Sequence, residues 1–286
     1  VILCLALSPS VDITYIVPGF AVGEVNRPES VVRVAGGKGL NVARAGTQLG
    51  ASVVAIAPLG GAPGEWIASA LEGVDVRVVP VSEPTRSCHI IVDPIEASPV
   101  STDLYEPAHT LSPGELADVA AAALAVSGSG WVALSGSVRA PLDELASLLR
   151  ALRARGWRIA VDTHGDALAA LLPLADLVKV NVDEASAVLG SSSREAGDLA
   201  VALAAGVRDA VVTDGVRGAV AVASDGTVST AAPGRHGIYP VGSGDAFFAG
   251  LLSALDSGLP VAAALPLATG AAERNAHTPG PGILAP

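Results

Sequence analysis

Aromatic residues are scarce: Phe, Trp and Tyr make up 3% of the 286 residues, although half the chain is hydrophobic. The core must therefore be aliphatic, built from Ala, Val, Leu and Ile. No apolar run approaches the ~20 residues needed to cross a bilayer. One such run, residues 1–7, has the length of a buried strand and lacks the basic flank of a secretory leader, so neither a membrane nor a secreted protein is expected. Cysteine is nearly missing. Cys4 and Cys88 cannot make a disulfide framework; they read as buried thiols in a reducing compartment, here the cytoplasm. No Cys or His cluster has metal-ligand spacing, so a structural zinc is not expected. Positive charge is short as well, 17 Lys and Arg against 28 Asp and Glu, for a net −11. A broad nucleic-acid surface needs many cations along the phosphates, so no nucleic-acid partner is expected.

Lysine is the rarest charge. Only Lys38 and Lys179 occur beside 15 arginines, 17 basic residues in all. A lysine kept in so arginine-rich a chain is a candidate for a role that needs a compact ammonium head.

What is present is an alternation of apolar strands and helices. Strands are read at residues 1–7, 15–17, 30–34, 52–57, 76–81, 87–92, 131–135, 158–162, 177–180 and 210–213, with a hairpin at 220–223 and 228–230 across Asp225-Gly226. Helices are read at 41–49, 65–71, 112–125, 142–155, 166–172, 183–189, 194–205, 245–256 and 261–275. The helix at 112 opens with a capping box, with Ser112 as N-cap, Pro113 at N1 and Glu115 at N3. From residue 112 onward the short-looped alternation predicts a mainly parallel α/β sheet with helices on both faces. The β-rich, interrupted stretches at about 11–34 and 76–107 read as a small β lid on a single 1–286 domain.

Two glycine motifs carry chemistry. In Ala35-Gly36-Gly37-Lys38-Gly39-Leu40-Asn41, clustered glycines let the backbone approach a ligand and feed a helix whose free amides point into the turn. Lys38 and Asn41 make it a polar substrate site rather than a packing turn. The loop is not a Walker A sequence. In Val241-Gly242-Ser243-Gly244-Asp245, a turn feeds a helix read as starting at Asp245. Amides at such a helix start form an anion nest, and a carboxylate inside it is either an acidic cap or a general base for phosphoryl transfer. The histidines at 109, 164, 236 and 277 read as surface or loop residues, and Ser135-Gly136-Ser137 is no hydrolase elbow.

The pair GGKGLN and GSGDAFFAG, with Leu134-Ser135-Gly136-Ser137, Lys179-x-Asn181-x-x-Glu184 and Thr213-Asp214-Gly215-x-x-Gly218 between them, resembles the PfkB, or ribokinase-like, carbohydrate kinases. The resemblance covers nearly the whole chain, and both lysines fall in its motifs. It implies a ribokinase-like fold and ATP-dependent phosphorylation of a sugar hydroxyl. It implies further that Asp245 is the base, with Gly242, Ser243 and Gly244 as anion hole. Asp12, Gly36, Gly37 and Asn41 would bind the sugar, Asp12 just after the first strand. Lys179, Asn181, Glu184, Thr213, Gly215 and Gly218 would bind ATP, Glu184 holding Mg²⁺ through water. Gly23-Glu24-Val25-Asn26-Arg27 and Glu83-Pro84-Thr85-Arg86 look most like the phosphosugar branch, the 1-phosphofructokinases and tagatose-6-phosphate kinases. Arg27, Lys38 and Arg86 would then receive a phosphate already on the sugar, and the lid would pair two copies as a homodimer.

The departures from the pattern fall on the substrate side: Ser8 for the usual Asn, Leu104-Tyr105-Glu106-Pro107-Ala108 for Asn-Glu-Pro-Gly, and His89 in the lid. A further departure is Val180, where the usual pattern has Pro. Fructose 1-phosphate is the first expectation for the substrate. Tagatose 6-phosphate, fructose 6-phosphate and an unphosphorylated sugar or nucleoside stay open, as does a non-catalytic sensor on the same fold.

Overall fold

The computed structural model describes residues 1–94 and 100–286. Along the chain, β1 (Ile2–Leu5) leads to β2 (Ser10–Ile16), β3 (Ser30–Gly36), α1 (Lys38–Gln48), β4 (Val53–Leu59), α2 (Gly61–Ala70), β5 (Asp75–Pro80), β6 (Arg86–Asp93), β7 (Val100–Tyr105) and α3 (Pro113–Leu124). The second half alternates β8 (Gly130–Ser135), α4 (Leu142–Ala154), β9 (Trp157–Asp162), α5 (Gly165–Leu171), β10 (Leu177–Asn181), α6 (Val182–Leu189), α7 (Ala196–Ala204) and β11 (Asp209–Thr213). It ends with β12 (Ala219–Val222), β13 (Val228–Ala231), α8 (Ser243–Asp256) and α9 (Val261–Ala276).

A nine-stranded sheet runs β13-β12-β11-β10-β9-β8-β1-β4-β5. It is parallel from β11 to β5 and ends in the antiparallel hairpin β12–β13. Strands buried on both faces need no polar alternation, which is why Ile2–Leu5 is apolar at every position. Its side chains alternate between two cores. Leu3 and Leu5 join the cluster under α3, α4, α6 and α7, whereas Ile2 and Cys4 join the one under α1, α2, α8 and α9. The capping box of α3 is present as read. Among the described residues no helix is long and apolar enough to cross a membrane.

A second, four-stranded sheet, β3-β2-β6-β7, forms the lid. Two corrections follow. Residues 76–81, read as lid, are β5, which pairs in parallel with β4 from Val54↔Asp75 to Leu59↔Pro80 and so edges the main sheet. Asp12, read as following the first strand, lies within lid strand β2, opposite Cys88 of β6. The expected lid span also includes residues 95–99, which lie outside the described residues.

Candidate active site

In parallel α/β sheets, ligands bind beyond the carboxyl ends of the strands, where the order reverses. Here β1 sits between β4 and β8. A cavity of about 510 Å³ opens there, between the ends of β8 to β11, the starts of α1 and α8, and the lid.

Gly242, at φ 87°, is the N-cap of α8, and a Cβ on it would fall 2.6 Å from Pro281 Cα, so only glycine makes this turn. The helix begins at Ser243, which puts Asp245 in its first turn rather than at its first position. Of the residues read as an anion hole, one amide has a main-chain acceptor. Ser243 N donates to Pro240 O at 3.1 Å, which leaves the first-turn amides of Gly244 and Asp245 as the ones without an intrahelical acceptor. Asp245 is 5% exposed and accepts from Asn41 Nδ2 at 2.9 Å. Burial drives its pKa up to about 7, against the pull of Lys38, Asn41 and Lys179 and with the help of Asp162. Its carboxylate is thus a base poised near neutrality.

Asp162, at the end of β9, is the residue that sequence reasoning missed. It is fully buried, and its Oδ2 accepts from Lys179 Nζ at 3.3 Å and from Ser135 Oγ at 3.2 Å. Its Oδ1 has no hydrogen-bond partner among the described residues and lies 3.9 Å from Lys38 Nζ. Burial would raise the Asp162 pKa, but Lys179 and Lys38 outweigh it and hold the carboxyl below its ordinary value. Lys38 Nζ is also 3.9 Å from Glu184 Oε1. Attraction to Asp162, opposed by burial and reinforced by Asp245 and Glu184, raises the Lys38 pKa, and both rare lysines stand against one buried carboxylate, at 3.9 and 3.3 Å. Lys38, read with Arg27 and Arg86 as a sugar-phosphate cation, lines the cavity with Asp162 and Glu184 as its neighbours. Lys179 Nζ passes close to Gly244, where an added Cβ would stand 3.2 Å away.

On the lid side, Asp12 is 5% exposed and accepts from Ser10 Oγ at 2.5 Å and from Gly37 N at 3.2 Å. Burial raises its pKa against those two bonds and the charges of Arg44 and Arg86. Gly37, at φ 88°, caps α1 and turns its amide to Asp12. Gly36 does not line the cavity. It lies against the Asp12 carboxylate, which would overlap a Cβ there. Arg86 lines the cavity and donates from Nη1 to Glu106 O at 3.1 Å and from Nη2 to Ser8 O at 3.4 Å; its Nε is buried without a partner among the described residues. Arg27 is not brought to it: it is exposed between β2 and β3 and is not in the cavity wall.

At the other end, Asn181 caps α6. Its Oδ1 accepts from Glu184 N at 2.8 Å, and Glu184 Oε2 accepts from Asn181 N at 2.9 Å. Thr213 Oγ1 donates to Val180 O at 3.3 Å, and Gly215 and Gly218 bracket the turn after β11. All five line the cavity. So do Arg235 and His236, the latter read from sequence as a surface histidine.

The profile of the pfkB family carbohydrate kinases matches residues 3–286. The chain is 37% identical to a 1-phosphofructokinase of Rhodobacter capsulatus, over 98% of this chain and 93% of that one. It is 32% identical to the ATP-dependent 6-phosphofructokinase isozyme 2 of Escherichia coli, over 84% and 81%. The crystal structure of phosphofructokinase-2 from Escherichia coli in complex with fructose-6-phosphate superposes with a TM-score of 0.86 at 29% identity, over 95% and 92% of the two chains.

Proposed function

The chain belongs to the pfkB family of carbohydrate kinases and is a phosphotransferase acting on a hydroxyl group, and on that premise we propose that it converts D-fructose 1-phosphate and ATP to fructose 1,6-bisphosphate and ADP. The observation that carries the choice of a phosphosugar is Arg86. It is held in the cavity wall by two main-chain carbonyls, and no carboxylate pairs with it among the described residues. A cation in a cavity wall whose fork meets only main-chain carbonyls is stabilised by an anionic substrate, and a guanidinium fork suits a phosphate. In a chain of net charge −11, that local cation also offsets general repulsion of a sugar phosphate.

In the proposed reaction Asp12 accepts hydrogen bonds from sugar hydroxyls, and Asp245 takes the proton of the hydroxyl that attacks the γ-phosphorus. The bond from that phosphorus to the β-bridging oxygen breaks, and ADP departs with the electron pair. The Gly244 and Asp245 amides, Lys38 and Lys179 face the charge of the transferring group. Asn181, Thr213, Gly215 and Gly218 line the ATP end. Mg²⁺, when bound, neutralises phosphate charge. The side chains suit it: Asp162 Oδ1 is a buried acceptor without a hydrogen-bond donor among the described residues, and Glu184 stands beside the same Lys38 ammonium.

A second reading, phosphorylation of fructose 6-phosphate, draws on the 32% identical 6-phosphofructokinase. A coupled ADP-release assay across fructose 1-phosphate, fructose 6-phosphate, tagatose 6-phosphate and fructose separates them. Fructose 1-phosphate should give the highest kcat/KM, about 10- to 150-fold above fructose, as a charge-assisted phosphate contact implies. A ratio near one would move the chain to the simple sugar kinases. The proposal includes a homodimer paired through the lid, where Val31 of β3 and Leu104 of β7 are exposed; a monomeric mass by light scattering at working concentration would remove it.

A further inference from the structure

Helix α1 carries a cation that the reaction above does not use. Arg44 lies one turn beyond Asn41 and is held on three sides. Its Nη1 donates to Asn41 Oδ1 at 3.3 Å and to Pro281 O at 3.1 Å, and its Nη2 donates to Ala35 O. Asn41, 3% exposed, uses its other end on the base, with Nδ2 donating to Asp245 Oδ2 at 2.9 Å.

We infer that Arg44 is a positioning residue for the general base: it fixes the Asn41 amide so that Nδ2 holds Asp245 Oδ2 and the other carboxylate oxygen meets the acceptor hydroxyl. This rests on the reading of Asp245 as base. A guanidinium only donates and an ionised carboxylate only accepts. Turning the amide over would set Nδ2 against Arg44 and Oδ1 against the Asp245 carboxylate, replacing two hydrogen bonds by two repulsions. The ionised base alone enforces half of that choice. Protonated Asp245 enforces none, because a carboxylic acid can donate to a flipped Oδ1. Such a flip would stabilise the protonated, inactive form. Arg44 blocks it, and matters most near neutrality, where Asp245 changes charge. Burial lowers the Arg44 pKa to about 10, with Asp12 opposing, so the guanidinium is charged throughout that range. The other charges facing Asp245 are Lys38 on α1, Asp162 on β9 and Lys179 on β10, and none of them touches the Asn41 amide.

The test is a carboxyl-carbon NMR titration of Asp245 in the ligand-free protein, paired with kcat–pH profiles. The proteins are wild type, Arg44→Met, Arg44→Lys, Asn41→Ala and the double variant Arg44→Met/Asn41→Ala. In Arg44→Met the Asp245 midpoint should rise by about 0.5–1 pH unit, the value of one hydrogen bond. The acid limb of kcat should move with it, and kcat should fall about 10- to 100-fold with KM for ATP unchanged. In the Asn41→Ala background the same change at Arg44 should move the midpoint no further. A merely structural Arg44, tying down Pro281 and Ala35, would lower the melting temperature in both backgrounds and leave the midpoint in place. Arg44→Lys keeps the positive charge beside Asp12 but not the fork, and carries the test if Arg44→Met does not fold; its midpoint should also rise. Wild-type midpoints in both Arg44 variants, or a shift that persists in full without Asn41, would overturn the inference. An active Asp245→Asn enzyme would instead remove the base, while the titration would still report on Arg44.

Discussion

Replacing Asp245 by Asn separates the two consequences of enclosing a carboxylate in the cavity. Burial, opposed by Lys38, Asn41 and Lys179 and reinforced by Asp162, lifts its pKa from an ordinary 3.8 to about 7. A rise of that size disfavours the charged form by about 4 kcal/mol relative to water. The folded protein holds this proton more tightly than the unfolded chain does. The linked stability is therefore fully present below pH 3.8 and is lost as the pH rises towards 7. At pH 8 the wild type carries the whole penalty, and a neutral amide of the same size carries none of it. Asp245→Asn should melt several degrees above wild type at pH 8, at about 2–4 °C per kcal/mol for a chain of this length, and the gain should shrink by pH 5. Turnover should fall about 10²- to 10⁴-fold, the usual loss for a positioned base. The wild-type kcat should bend near pH 7 and drop about tenfold per unit below it. Scanning calorimetry at the two pH values, ADP release and calorimetric ATP binding read all of this. A variant less stable than wild type at pH 8 refutes the burial argument, and near-normal turnover refutes the assignment of the base.

Three further substitutions probe the walls of the cavity. Arg86→Ala should raise KM for the sugar phosphate about 10- to 150-fold and leave KM for ATP in place; equal changes in both would show that Arg86 only supports the lid. Glu184→Gln keeps an acceptor for Asn181 N, so α6 should stay capped while half-saturation by Mg²⁺ moves to higher concentration; an unchanged titration curve would place the metal elsewhere. Asp162→Asn leaves Lys38 and Lys179 without their shared buried carboxylate and should cost about 3–5 kcal/mol in stability, read as a lower denaturation midpoint at an unchanged slope; a wild-type midpoint would mean that the pair of lysines is solvated without it.

The sequence pattern carries the second half of the fold almost element by element, because its central strands are mainly apolar and α3 and α6 open on capping boxes. Ser112 and Asn181 both cap where a polar residue precedes a glutamate three positions on. The first half is less legible for a specific reason. Of the six residues Asp75–Pro80, only Val79 is buried. An edge strand of the main sheet therefore has the same half-polar composition as a lid strand. What distinguishes them is pairing with β4, a long-range choice that no local pattern encodes. Asp12 was displaced by the same limit, since strand β2 begins at Ser10 with small and polar residues rather than at the apolar stretch that follows.

The site divides along the same line. Gly37, Asn41, Gly242 and Asp245 stand out in glycine turns that feed helices, and Asn181 and Glu184 come from the family resemblance. Asp162 and Arg44 do neither. An aspartate closing an apolar strand reads as a strand terminator, and an arginine on a helix beside polar neighbours reads as a solvated face. Each acquires its role only when the strand order sets β9 beside β8 and brings the C-terminal segment at Pro281 against α1. Lysine scarcity singles out two positions that both line the cavity, but it could not say that both ammonium groups would converge on one carboxylate. That convergence also bears on Asp245. Lys38 and Lys179 pull its carboxyl down, but the Asp162 carboxylate they surround pushes it up, and burial, the largest influence, lifts it to about 7.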